Sequence, residues 1–528
     1  MGHIRSKSNV TPPAVQTPRS YRIIAIIFAL WLCFHTLSRF DWTVPDWTPK
    51  ATDEWPEEPV LKNRRMALVI PLTDPSPNAC KTILSGTVLG YPAPVIVNWG
   101  VDYHDVSHWE LGRNLPKIPG MMKYLDSVMH PNATDLERLE EDDLVLMVDG
   151  RDVWFQLPVE VLISRYHEIN KKANERLRKQ WKGPGPMPMK QTIVTGSQRK
   201  CYPNDPERYG LDMQCDIWPE SPVRSDLYGP TTEKNETDFI HHRPRYINGG
   251  MYMGPAGDMR RFFRRAMELM DKYVGEGFPL RSDQGVNGYL IAQQEIWRQW
   301  QRKNHMKEMD LKTMIDENLE FHAGLDYAME LSNQVSYSDI DESLGLYWSD
   351  FALLNNEKRT QRQSEARGIL PVRFNGVPAD IMASRNPLTK FEKSANWSNM
   401  PLFADFALGT VPALIHHNKY KDRRQTWWDR PWYHQKLRKL VPSKLKFRPF
   451  DESLATVETD EGLVRYWAPL AEARDRYPRK VNETANARFE KMELDTLCRR
   501  AEGKEGGTSK DGKAWWDEVM RDGGGKIS

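Results

Sequence analysis

LVLMVDGRDVWFQLP, residues 144–158, decides how the rest of the chain is read. Its five apolar residues, Leu144 to Val148, are too few for a helix and suit a strand buried on both faces. The run stops abruptly at Asp149-Gly150-Arg151-Asp152. Upstream, MALVIP (66–71) and PVIVNW (94–99) have the same buried-strand pattern; downstream, TIVTG (192–196) and MYMG (251–254) repeat it. Between them, 81–89, 120–129, 158–181, 256–274 and 283–300 read as helices, the third opening on Pro158, which suits a first turn. Strands alternating with helices predict an α/β fold with a mainly parallel sheet flanked by helices. There is no internal repeat.

In open α/β sheets, ligands gather outside the carboxyl ends of the strands. Asp149 and Asp152 stand there on one tight glycine turn and can converge on a hard cation through oxygen. An acidic turn with Asp152 paired to an arginine would read the same. YINGGMYMGPAGD (246–258) sets Asn248, Gly249 and Gly250 before a short strand, where glycines admit a ligand or a neighbouring backbone. RSDQGVNGYL (281–290) puts Asp283 and Gln284 at a helix start, a place that also suits a plain N-cap. VPALIHHNKYKDRR (411–424) brings His416, His417 and Asn418, then Lys419, Lys421, Arg423 and Arg424. A neutral imidazole suits an ion such as Mn²⁺ and the cations suit a diphosphate, although a lone histidine pair is more often a solvated one.

Lys plus Arg (74) nearly balance Asp plus Glu (72), so the chain has no nucleic-acid signature. Residues 1–22 carry Arg5, Lys7, Arg19 and Arg22 with no acid, and an apolar run follows to Leu37. Its flanks predict a transmembrane signal-anchor over 21–38 with a cytosolic tail, 1–20, and everything beyond in a lumen. A cleaved signal peptide would want a small-residue site where His35 to Phe40 stand. Sequons at Asn132, Asn235, Asn396 and Asn482 all lie beyond that run. Four lumenal cysteines permit two disulfides in three pairings, and the fourteen-residue spacing of Cys201 and Cys215 in a proline-rich stretch predicts that these two join. Residues 39–65 read as a stem, and 436–528 as a charged, partly disordered C-terminal extension with a helical patch near Leu463–Arg476.

Taken together and in order, these segments resemble the glycosyltransferase domain of the collagen lysyl hydroxylases and the related collagen hydroxylysine galactosyltransferases. The matching elements are Asp149-Gly-Arg-Asp152-Val153, Arg199-Lys200-Cys201-Tyr202-Pro203, Tyr246-Ile-Asn248-Gly249-Gly250-Met-Tyr-Met-Gly254, Ser282-Asp283-Gln284, Gly324-Leu325-Asp326 with Asn333-Gln334, and His416-His417-Asn418-Lys419. The likeness runs over roughly residues 66–425.

The resemblance implies a GT-A-like, Rossmann-type domain over 66–435 that binds a UDP-sugar donor through Mn²⁺ or Mg²⁺ and transfers the sugar to a protein or glycan acceptor. Asp149, Asp152 and His416 match metal ligands, with His417 an alternative to His416. Asn248, Gly249 and Gly250 match a donor-site loop, Asp283 and Gln284 the segment near the transferred sugar, and Lys419 a lysine near the diphosphate. Arg151 stands where an aromatic is usual, so it either contacts the diphosphate or crowds the nucleotide, and Ser282 replaces an acid. The expected setting is the Golgi or ER membrane, as a single-pass type II protein with a lumenal catalytic domain. Two rivals are an inactive, membrane-anchored lumenal binding or scaffold protein of the same fold and an unrelated metal-dependent hydrolase.

Overall fold

The computed structural model describes residues 61–101, 114–235, 237, 239–304, 319–481, 489–500 and 514–526. Its centre is a sheet begun by β1 (Lys62–Pro71), whose Met66 to Ile70 are sealed from solvent. Helix α1 (Pro77–Val88) follows, its Ser76 cap accepting the Asn78 amide at 3.2 Å, with proline at the first position. Then come β2 (Val95–Val97), α2 (Lys117–Val128), β3 (Leu144–Val148) and β4 (Val153–Phe155). Helix α3 (Val159–Gln180) places Glu160 in its first turn and Arg178 and Lys179 in its last, matching the helix dipole at both ends. After it lie β5 (Ile193–Gln198), β6 (Tyr246–Pro255), α4 (Ala256–Gly275), α5 (Asp283–Asn304), β7 (Ala323–Leu325) and β8 (Ser332–Gln334).

Strand β1 runs parallel to β2 and β3, β5 runs parallel to β7, and β6 lies antiparallel to both β3 and β5. Two hydrophobic clusters cover opposite faces: Leu68, Ile70 and Leu146 point into one, Ala67, Val69 and Val145 into the other. That is why these strands read as unbroken apolar runs.

The expected fold class is corrected in its membrane component. No helix among the described residues is long and apolar enough to cross a membrane. Helix α4 is amphipathic and buries one side through Met259, Phe262, Phe263 and Ala266, whereas α1 is buried almost all round. The segment that suggested the anchor, residues 21–38, lies outside the described residues, as do the tail (1–20), most of the stem and Asn482. The α/β character stands, but the sheet is mixed, since β6 runs antiparallel to its neighbours, a direction of which apolar runs carry no record. Strand β6 is also more than twice as long as its sequence suggested and takes Asn248, Gly249 and Gly250 into the strand instead of a loop.

The chain beyond residue 435 joins the same sheet. A hairpin of β9 (Ala455–Thr459) and β10 (Gly462–Trp467) pairs with the start of β1, where Lys62 to Arg65 lie opposite Val464 to Trp467. Strand β11 (Arg479–Val481) runs parallel to β2 and pairs with β12 (Phe489–Lys491). The helical patch expected near 463–476 is therefore a strand followed by one short 3₁₀ turn, Leu470–Ala473. Cys201 and Cys215 are bonded as their spacing predicted, and Cys80 is bonded to Cys498.

Helix α6 (Trp515–Val519) closes over α1 and leaves the Lys81 side chain with no exposure. Its ammonium donates to Asn78 Oδ1 (3.0 Å), the Arg424 carbonyl (2.8 Å) and Gln425 Oε1 (3.2 Å), and pairs with Glu518 Oε1 at 3.5 Å. Burial outweighs the Glu518 charge and brings the lysine down to about 7. The unfolded chain then holds more protons than the native one between about pH 7 and the ordinary lysine range. The cost of the buried charge is thus fully present below pH 7 and fades as pH rises. Stability of the wild type should climb from pH 7 to 9 by up to about 1.4 kcal/mol per unit relative to Lys81→Met, read from parallel denaturation curves. Equal slopes would show that Lys81 does not titrate there.

Candidate metal centre

Three short strands deliver the site. The Asp149 amide still donates to the Gly250 carbonyl (3.0 Å), so the turn after β3 starts while its backbone is held by β6. Gly150 comes next because a Cβ there would lie 2.6 Å from the Pro71 carbonyl oxygen. The chain returns as β4, which pairs antiparallel with β13 (Leu414–His416) and sets Val153 opposite His416. Strand β13 also runs parallel to β8, with His416 opposite Gln334. The His417 amide donates to the Asp152 carbonyl at 2.7 Å and locks the two segments together.

One ligand atom each from Asp149, Asp152 and His416 lies within 4.8 Å of the others, a group that could hold a metal ion. His416 Nε2 is 3.7 Å from Asp149 Oδ2 and 3.5 Å from Asp152 Oδ1. Its Nδ1 faces two acceptors, Asn248 Oδ1 at 3.0 Å and Gln334 Oε1. Asn248 is oriented in turn, its Oδ1 accepting the Gly250 amide (3.0 Å) and its Nδ2 donating to Gln198 Oε1 (3.0 Å). Nδ1 therefore carries a proton, and Nε2 is turned toward the carboxylates, where a cation would take its lone pair, as metal-binding histidines are usually held. Burial works against the Asp152 charge, but His416 in its protonated form, then Arg424 and Lys117, bring it down to about 2, and a bound cation would replace the Nε2 proton. Two carboxylates and one neutral imidazole fit a Mn²⁺- or Mg²⁺-type ion.

Of the two adjacent histidines, the structure brings His416 into the group. His417 packs its ring 4.1 Å from that of Trp154, and both ring nitrogens are buried without a hydrogen-bond partner. Burial depresses its basicity well below the ordinary range, so it remains a neutral core side chain.

Lys117, at the start of α2, is a residue that the sequence reading missed. Its ammonium lies 2.6 Å from Asp149 Oδ1 and 3.3 Å from Asp283 Oδ2. Burial opposes its charge, but Asp149 and then Asp283 hold it above the usual lysine range. Nothing local signals this role, since a lysine opening a helix ordinarily reads as solvated. Asp283 is 3% exposed, and burial raises its carboxyl, with Lys117 opposing. Gln284 has both ends engaged: its Oε1 accepts the Gly249 amide at 2.8 Å and its Nε2 donates to the Tyr202 carbonyl. It ties β6 to the Tyr202 segment and is a positioning residue. Arg151 pairs with Asp74, side chain and carbonyl both, instead of with either carboxylate of the group. Lys419 is exposed and lies over the rings of Tyr337 (5.1 Å) and Tyr420 (4.9 Å).

No family model matches this chain, and no curated protein matches it.

Proposed function

We propose that the protein is a glycosyltransferase that moves a sugar from a nucleotide-sugar, a UDP-sugar by its motif resemblance, to an acceptor hydroxyl. The observation that carries this reading is the convergence of Asp149, Asp152 and a tautomer-fixed His416 outside the carboxyl end of β3. A divalent cation there supplies the charge that a leaving diphosphate needs. The chain's own groups do the rest. Lys117 stands between the cation-binding Asp149 and the buried Asp283, where it adds positive charge for a departing phosphate. Asp283 is the general base for the acceptor hydroxyl, since a raised carboxyl is better matched to neutral pH than an ordinary one. Gln284 holds the Gly249 backbone and the Tyr202 segment at fixed spacing around it. Two disulfides, with Asn132, Asn235 and Asn396 exposed, support action in an oxidising secretory compartment such as the Golgi or ER lumen.

Lys117 also favours a second reading. An internal ammonium bridging Asp149 and Asp283 partly neutralises the site, as suits an inactive binding protein of the same fold. Thermal-shift titration separates the two. A transferase is stabilised by UDP only when Mn²⁺ is present, and it hydrolyses or transfers from a UDP-sugar. A protein that UDP with Mn²⁺ does not stabilise is not this enzyme.

A further inference from the structure

Aromatic side chains that the chemistry above does not use stand on segments tied by hydrogen bonds to the neighbours of the metal centre. Tyr202 follows Cys201 of the Cys201–Cys215 disulfide and is 42% exposed, although its carbonyl is held by Gln284. Its hydroxyl shares a hydrogen bond with that of Tyr209 at 2.6 Å, and the rings stand 5.4 Å apart, edge to face. The ring of Tyr337 is 5.7 Å from that of Phe239. Lys200 lies 5.0 Å over Phe239, and Lys419 links Tyr337 to Tyr420. All these rings are partly exposed.

These side chains are anchored to the site from several directions. Gln284 follows Asp283, Tyr337 comes three residues after Gln334, and Lys419 comes three after His416. Tyr337 has a φ of 56°, a left-handed conformation that a bulky residue rarely adopts. It is held there by its neighbours: the Ser336 amide donates to Asn418 Oδ1 (3.0 Å), and Asn418 Nδ2 donates to Ser336 Oγ (2.9 Å). Strain of this kind persists where the surrounding structure enforces it, commonly at ligand sites.

We propose that Tyr202, Tyr209 and Tyr337, with Lys200 and Lys419, form a ledge that binds the sugar rings of an oligosaccharide acceptor; this rests on the transferase reading above. The chemistry matches on both counts. The C–H face of a pyranose is apolar and flat and stacks on an aromatic face, while its hydroxyl rim needs donors and acceptors. The ledge offers partly exposed ring faces with phenol and ammonium groups between them. Its tie through Gln284 to Asp283 brings an acceptor hydroxyl to the general base and leaves the donor's diphosphate to the metal side.

The test uses the full-length protein, a microarray of hexose-based oligosaccharides, and calorimetry with UDP and Mn²⁺. With both present, the wild type should retain oligosaccharides. Tyr202→Ala and Tyr337→Ala should each weaken that retention by about tenfold, the order expected for losing one stacked ring. UDP affinity in Mn²⁺ should stay unchanged in both variants, and Tyr202→Phe, which keeps the ring face, should retain most of the binding. If UDP and Mn²⁺ bind but no oligosaccharide is retained, or Tyr202→Ala and Tyr337→Ala both bind as wild type does, the ledge is refuted and the transferase reading stands. If wild type binds no UDP in Mn²⁺, both fall together.

Discussion

Asp152→Asn should lower Mn²⁺ affinity and Mn²⁺-dependent UDP affinity together, each by at least about tenfold, since even changes behind metal ligands cost 10–100-fold. The substitution keeps the volume and removes one charge. Native Asp152 is ionised throughout the neutral range, because His416, Arg424 and Lys117 bring it down to about 2 against its burial. The backbone contact that joins the two segments, His417 amide to Asp152 carbonyl, does not involve the side chain, so the fold should survive. Calorimetric titration of UDP with and without Mn²⁺ on wild type, Asp152→Asn and His416→Ala is the measurement. His417→Ala is the control, since that ring only packs against Trp154 and should cost stability without touching metal affinity. Equal UDP binding in all four proteins would mean that the three ligands are wrongly assigned. Loss in His417→Ala with His416→Ala intact would move the assignment one residue along.

Gly250→Ala should be as damaging from the other side of the ring. A Cβ at Gly250 would lie 2.1 Å from His416 Cε1 and 2.3 Å from Nδ1. The imidazole cannot yield, because it is 3% exposed and its Nδ1 is held by Asn248 and Gln334. Either His416 leaves its position or β6 shifts, at a cost of about 1–3 kcal/mol for a methyl forced into a packed site. Metal affinity should again fall at least about tenfold. Gly249→Ala makes the comparison sharp, for its Cβ would meet Gln284 Cβ at 3.3 Å and Asp283 Oδ2 at 3.4 Å, a squeeze that neighbouring side chains can relieve. Similar behaviour of the two alanine variants, by melting temperature and Mn²⁺ titration, would contradict the packing described for His416.

These residues also show what was legible in the sequence. Strand β3 and its acidic turn were plain, because a strand buried on both faces must be apolar throughout and must stop where the chain meets solvent. That a close approach required glycine in the 248–250 stretch was also readable, but not which neighbour approached, since His416 comes from 166 positions away in the chain. Strand direction was not legible, and so neither was the antiparallel placement of β6. The hairpin at 455–467 was missed because its charged residues resemble solvated chain. Its signal was period-two alternation around the Asp460-Glu461-Gly462 turn, with Val464 and Tyr466 inward. Lys117 could not be found at all, because its partners, Asp149 and Asp283, are joined to it only by the fold.

The bond between Cys80 and Cys498 spans 418 positions and closes nearly the whole domain into a covalent ring. A protease that cuts once anywhere inside that ring leaves a single molecule of unchanged mass apart from one added water. The break becomes visible only when the sulfurs are separated, as two pieces on a reducing gel against one band on a non-reducing gel. A chain ended before Cys498 keeps only the small Cys201–Cys215 loop and loses that tolerance of a cut everywhere outside it.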